Sequence, residues 1–133
     1  MDSLINNKNK VKQVVDFTGV QNGKLHPSDI DGVLEFDNEV LILIEVKRKY
    51  KQIPTGQRIL LERICDSWHK PEKCIVLKVE HEFNDEYQDI PLKECLVSMV
   101  YYKKQWVEIP EPYDFKSYLN LLGEQWNCKK CKF

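Results

Sequence analysis

Two short stretches of the chain carry carboxylates and a lysine among apolar residues. The first is DIDGV, which begins the strand-like run DIDGVLEF and has Asp31 at its third position, and the second is LILIEVKRK, in which Glu45 and Lys47 follow an apolar run. Because side chains alternate between the two faces of a strand, Glu45 and Lys47 share a face, and Val46 points to the other. Paired carboxylates beside an ammonium group are the side chains that bind a divalent cation and a phosphate.

A β-hairpin must position these residues. The runs DIDGVLEF and EVLILIEVK are strand-like, and they are joined around residues 37–39, whose types favour a turn. A three-residue turn places Asp31 opposite Glu45, whereas a two-residue turn places it opposite Ile44 and on the wrong face, so we favour the three-residue turn. Opposed carboxylates repel each other, and a bound Mg²⁺ or Mn²⁺ would remove that cost.

The remaining elements predict an α/β (α+β) fold, in which helices flank a mixed β-sheet. Residues 2–17 are consistent with a polar helix, and IPTGQRILLERICDSWHK with a second helix that has Thr55 as its N-cap. KCIVLKVEHE predicts a strand, and ECLVSMVYYKKQWVEI predicts a strand or hairpin that turns near residues 103–105. A last helix is expected over residues 114–126. Residues 1–133 therefore form a single predicted domain, with a basic tail at about 127–133.

The motif formed by DIDGV and LILIEVKRK resembles the core motif of the PD-(D/E)xK nuclease superfamily, which includes restriction endonucleases and Holliday-junction resolvases. That motif has an Asp on one hairpin strand and Glu-x-Lys on the next. The resemblance implies a restriction-endonuclease-like sheet, metal ligation by Asp31, Glu45 and the carbonyl of Val46, and a catalytic role for Lys47. It also implies a role for Gln57, since many members carry a Gln on the first turn of the following helix.

The chain departs from the family pattern in two places. Pro27 is not adjacent to either candidate Asp, and Asp29 shares a face with Asp31. Pairing Asp29 with Glu45 would need an implausibly short turn, so we expect Asp29 to flank the site and support its ligands. Resolvase-like members often carry a further Glu on the first helix, and the nearest acidic residue here is Asp16.

The function implied by the resemblance is metal-dependent hydrolysis of phosphodiester bonds, by a Mg²⁺- or Mn²⁺-dependent endo- or exodeoxyribonuclease. DNA is favoured over RNA as the substrate. We expect sequence-independent contacts to backbone phosphates from Arg48, Lys49, Lys51 and Arg58. No base-reading element is evident, so substrate choice is expected to follow the structure or the ends of DNA. The resemblance also suggests a phage, mobile-element, DNA-repair or recombination setting.

The cysteines raise a second hypothesis. Cys128 and Cys131 have the spacing of zinc ligands, but a lone CxxC is half of a tetrahedral site. Cys65, Cys74, Cys95 or His69 would have to complete it, or a second chain in a dimer. We favour reduced thiols without zinc over a zinc site or a redox pair, and we expect Cys65, Cys74 and Cys95 to lie in the core.

Composition limits the classes of function. The 133 residues carry a net charge of −1, so attraction to nucleic acid must come from local patches such as KRKYK and the CKKCKF tail. No apolar run is long enough to span a membrane and no secretory signal is evident, so we expect a cytoplasmic protein without a membrane partner. Two alternatives stay open: a catalytically inactive nuclease-fold module that binds nucleic acid or protein, and a partner-binding surface in VYYKKQWVEIPEPYDF. A homodimer is compatible with each of these functions.

Overall fold

A computed structural model describes residues 14–133. Its five strands are β1 (Gly32–Phe36), β2 (Val40–Arg48), β3 (Cys74–His81), β4 (Leu96–Tyr102) and β5 (Gln105–Asp114), and its two helices are α1 (Thr55–Ser67) and α2 (Phe115–Gln125). Short 3₁₀ turns at Pro71–Lys73 and Leu92–Glu94 precede β3 and β4. The predicted helix over residues 2–17 lies mostly outside the described residues, and residues 14–17 have no regular secondary structure.

The hairpin of β1 and β2 has the predicted three-residue turn. Asp37 and Asn38 adopt positive φ angles of 54° and 59°, which Asp and Asn tolerate better than most residues. Glu39 N–H closes the turn on the carbonyl of Phe36 at 2.9 Å. Strand pairing then runs from Phe36 opposite Val40 to Gly32 opposite Ile44, so the expected register is confirmed.

The sheet is mixed, with the strand order β1-β2-β3-β4-β5. Strands β2 and β3 are parallel, and α1 lies between them in the sequence, as a parallel crossover requires. The pairs β1–β2, β3–β4 and β4–β5 are antiparallel. β2 and β3 are interior strands with core on both faces, which explains the nearly continuous apolar runs in their sequences.

Helices cover both faces of the sheet. α2 packs on one face with Ile42, Leu77 and Val97, and α1 packs on the other with Leu43 and Val76. The predicted α+β class, a mixed sheet flanked by helices, is therefore confirmed. Within residues 14–133 no helix is long and apolar enough to cross a bilayer.

The helix starts have different chemistry. Asp114 caps α2, because its carboxylate accepts hydrogen bonds from Ser117 N–H at 3.0 Å and Ser117 Oγ at 2.9 Å. At α1 the prediction of Thr55 as the N-cap was wrong by one residue: Pro54 holds that position and Thr55 is already helical. No side chain caps α1 and no acidic residue lies in its first turn, so N–H groups of that turn stay available to other acceptors.

Candidate active site

The hairpin register brings the two candidate carboxylates together at one end of the sheet. β1 begins at Gly32, and continuing its pairing by one residue places Asp31 opposite Glu45. The Oδ2 atom of Asp31 accepts a hydrogen bond from the backbone N–H of Val46 at 2.7 Å. Asp31 is exposed at the mouth of the site, whereas Glu45 is only 1% exposed.

Glu45 has an unusual electrostatic environment. Burial and, to a smaller extent, the neighbouring carboxylate of Asp31 together raise the pKa of its carboxyl group from 4.5 to about 7. Lys47 opposes this effect, with its Nζ atom 3.4 Å from Glu45 Oε1. Two close carboxylates and one half-buried ammonium group therefore leave the site short of positive charge.

Gln57 connects α1 to the hairpin. Its side-chain amide donates to Glu45 Oε2 at 2.9 Å and to the backbone carbonyl of Asp29 at 2.8 Å. An amide nitrogen carries two N–H donors, so both are used in these bonds. Gln57 therefore points toward the sheet, and Asp29 contributes to the site through its backbone carbonyl.

An open cavity of about 810 Å³ lies above these residues. All the acidic and amide side chains of the site line it, as does Lys47, whereas Lys24 and His26 enter it from the loop before β1. His26 was not among the predicted site residues, and its Nδ1 lies 2.9 Å from the carbonyl of Pro27. The complete lining is Phe17, Lys24, Leu25, His26, Pro27, Ser28, Asp29, Asp31, Glu45, Lys47, Pro54, Gly56 and Gln57.

The residues present fit a hard divalent cation. Mg²⁺ is commonly held by one or two carboxylates, with water and substrate phosphate completing the coordination sphere. Asp31 and Glu45 supply that pair, and the raised pKa of Glu45 marks a carboxylate that a nearby cation would stabilise in its charged form. Within residues 14–133 no cluster of three or more His, Cys, Asp or Glu side chains is arranged around a common point. Ligation by the carbonyl of Val46 stays a prediction.

The basic residues expected to contact backbone phosphates lie outside this cavity. Arg48 is hydrogen-bonded to Asn84, and Lys49 pairs with Glu82 at 3.2 Å, so both are tied to the loop between β3 and β4. Lys51 is exposed near the start of α1.

Two further sequence-selected residues also lie away from the cavity lining. Arg58 pairs with Glu62 at 2.6 Å along α1. Asp16, the nearest acidic residue for the additional ligand, accepts hydrogen bonds from Thr18 Oγ1 at 2.6 Å and Thr18 N–H at 2.9 Å. The structure therefore brings neither residue to the paired carboxylates.

The CxxC cysteines are part of the core beneath α2. Cys131 is buried and its thiol lies 3.2 Å from the carbonyl of Leu119, which fixes the tail on the helix. Burial raises the pKa of Cys131 to about 11, so its thiol is protonated near neutral pH. Cys65 and Cys74 lie in the core on the other face of the sheet and cannot complete a zinc site with the tail. All five cysteines are free thiols, and the expectation that Cys65, Cys74 and Cys95 are buried is confirmed.

Sequence reasoning missed a second charged pair on the same face of the sheet. Lys78 of β3 lies opposite Glu45 in the parallel register, and its Nζ atom is 3.4 Å from Glu80 Oε1. The sequence feature that could have predicted this pair is CIVLKVEH, where a lysine interrupts an apolar run as Glu45 does in β2. Within VYYKKQWVEIPEPYDF, Tyr101 is buried, and Tyr102 and Trp106 are partly buried.

No protein-family model, curated protein or solved structure matches the chain at a significant level.

Proposed function

We propose that this protein is a metal-dependent nuclease that hydrolyses phosphodiester bonds in DNA. The observation that carries the proposal is the convergence of Asp31, Glu45, Lys47 and Gln57 on one open cavity. A buried Glu beside a second carboxylate destabilises the fold unless a cation neutralises the two charges. A Glu-Lys pair with a purely structural role would not need this arrangement. The resemblance to the PD-(D/E)xK motif supports the same function.

Each residue has a distinct role in the proposed reaction. Water attacks phosphorus, the bond from phosphorus to one sugar oxygen breaks, and that oxygen leaves with a proton. Asp31 and Glu45 would hold a divalent cation, which would supply Lewis-acid stabilisation of the phosphate charge. Lys47 holds the attacking water or neutralises charge on the phosphate oxygens from its position beside Glu45.

Gln57 and Asp31 hold the other groups of the site in position. Gln57 fixes the carboxylate of Glu45 and, through the carbonyl of Asp29, the segment that leads into β1. Asp31 holds the backbone of Val46 by accepting its N–H. Small displacements of reacting groups are costly in catalysis, so these contacts favour a preformed site.

Cleavage assays test the proposal. Single-stranded, duplex, flap and four-way-junction DNA are incubated with the native chain in Mg²⁺, Mn²⁺ or EDTA. The Glu45→Gln and Lys47→Ala variants are compared with Glu124→Gln and Lys116→Ala, whose side chains are exposed on α2. We expect metal-dependent products that fall by about 100-fold or more in the two site variants and stay unchanged in the two controls.

The same assay separates this function from a catalytically inactive nuclease-fold module. Arg48, Lys49 and Arg58 are already paired with neighbouring polar or acidic side chains, which reduces their attraction to phosphates under either function. Binding to DNA without cleavage of any of the four substrates would support the module. Products formed equally by the native chain and both site variants would contradict the assignment of these residues.

A further inference from the structure

A second cavity, of about 380 Å³, lies beside the candidate active site. The two cavities flank the first turn of α1, since Gly56 and Gln57 line the first, and Thr55 and Arg58 line the second. The floor of the second cavity comes from β3, β4 and β5. Its volume falls within the range of about 300–1,000 Å³ that is usual for small-molecule pockets. The residues that matter for its chemistry are Ile53, Thr55, Arg58, Lys78, Met99 and Trp106.

Lys78 gives this cavity a buried positive charge. Its side chain is only 9% exposed, because Lys78 lies in the middle of an apolar strand. An ammonium group has three N–H donors, and the contact of Lys78 with Glu80 is long, at 3.4 Å. A buried lysine with one long contact can still donate to an anion that enters the cavity.

The first turn of α1 adds to the attraction for an anion. The helix has neither a side-chain cap nor an acidic residue in its first turn, and Thr55, its first residue, lines the cavity. Uncapped N–H groups and the positive end of the helix dipole favour phosphate. Arg58, one turn into the helix, also lines the cavity, but its charge is paired with Glu62, so Lys78 is the cation to which we assign the phosphate.

The opposite wall is aromatic and rigid. Trp106 donates its indole N–H to Glu62 Oε2 at 2.7 Å, and the same carboxylate oxygen lies 2.6 Å from Arg58 Nη1. The ring of Trp106 also packs against Tyr101, with centroids 5.3 Å apart. Glu62 therefore fixes both Arg58 and Trp106 in place. A fixed aromatic ring beside an apolar methionine is a surface on which a nucleobase can stack.

We propose that this cavity binds one nucleotide of single-stranded DNA, with its phosphate at Lys78 and its base against Trp106. The proposal rests on the proposed nuclease function, because it places this nucleotide on the strand that enters the neighbouring active site. A base in a duplex is stacked and paired, so it cannot also lie against a tryptophan in a cavity. The substrate is then a single strand, an overhang or a flap.

Binding measured without cleavage tests the proposal. Fluorescence anisotropy of a labelled single-stranded oligonucleotide and of the matching duplex is followed in EDTA with the full chain, over a range of salt concentrations. We expect the native chain to prefer the single strand. Lys78→Met should weaken that binding by about tenfold and reduce the slope of log K against log salt by about 0.7, the value for one phosphate contact.

Trp106→Leu separates stacking from charge. This residue is partly exposed on the last strand, so its replacement keeps the test informative if Lys78→Met does not fold. We expect about tenfold weaker binding with an unchanged salt slope, because base stacking involves no counterion release. Lys116→Met is the matched control for the lost charge, since it lies on the opposite face of the sheet. It should behave like the native chain.

The outcomes distinguish this proposal from the nuclease function. Equal affinity for single strand and duplex, no binding to the single strand, or native affinity in both Lys78→Met and Trp106→Leu would overturn the nucleotide site. If the native chain still cuts DNA in Mg²⁺ in that case, the nuclease function stands alone. Single-strand binding that depends on Lys78 and Trp106 but leads to no cleavage would instead support the nucleotide site and contradict the nuclease.

Discussion

Replacing Glu45 by Gln should stabilise the metal-free protein above neutral pH. Burial and the neighbouring Asp31 raise the pKa of Glu45 from 4.5 to about 7, so the folded chain holds this proton more tightly than the unfolded chain does. The stabilising contribution is fully present below pH 4.5 and is lost as the pH rises through about 7. A neutral glutamine avoids this loss and keeps a carbonyl oxygen for the hydrogen bond from Gln57.

The size of the effect follows from the pKa difference. One pKa unit corresponds to about 1.36 kcal/mol, so a rise from 4.5 to about 7 corresponds to about 3 kcal/mol at pH 8.5. Glu45 is only 1% exposed, so solvent screening reduces this figure little. A gain of this size is a large fraction of the stability of a domain of this length.

Urea denaturation in EDTA at pH 4.5, 6, 7 and 8.5 measures this difference in the free energy of unfolding. The native chain and Glu45→Gln should have similar free energies of unfolding at pH 4.5, and they should diverge progressively until the variant is more stable by up to about 3 kcal/mol at pH 8.5. Glu124→Gln, an exposed replacement of the same type, should follow the native curve. Parallel curves for the native chain and Glu45→Gln would refute the claim that this carboxylate is buried beside another.

Four further predictions concern metal binding, packing and helix capping. Mg²⁺ or Mn²⁺ should raise the Tm of the native chain but not of Glu45→Gln, because a cation stabilises the folded state only where that state binds it. Equal shifts of Tm in differential scanning fluorimetry would argue against this metal site. Gly123→Ala should lower the free energy of unfolding by about 1–3 kcal/mol, since its Cβ would lie 2.1 Å from the carbonyl oxygen of Cys131. Gly56→Ala, which meets nothing within 4 Å, should instead gain up to about 1 kcal/mol in the same urea titration. Asp114→Ala should cost about 1 kcal/mol by removing the cap of α2, measured in the same way, and an unchanged midpoint would contradict that role.

The local features of the site were predictable from the sequence. Alternation assigned Glu45 and Lys47 to one face of β2, and turn-forming residues at 37–39 set the register that brings Asp31 opposite Glu45. Both inferences need only neighbouring residues, because strand alternation and a short turn leave few other pairings that keep the apolar residues in the core. The mixed sheet with flanking helices followed from the order of the elements.

The surroundings of the site depended on contacts between distant segments. The raised pKa of Glu45 comes from burial and from Asp31, and the sequence of β2 alone predicts neither the direction nor the size of that shift. The same holds for Arg48 and Lys49, whose charges are engaged by the loop after β3.

The sequence by itself thus determined the paired carboxylates and the lysine beside them, because strand periodicity and turn length act over a few residues. Only the tertiary structure decided that Gln57 joins Glu45 to the carbonyl of Asp29, and that Lys78 and Trp106 line a second cavity across the first turn of α1. These relations depend on how a helix docks on five strands, and packing of that kind is set by the whole core and not by any one segment.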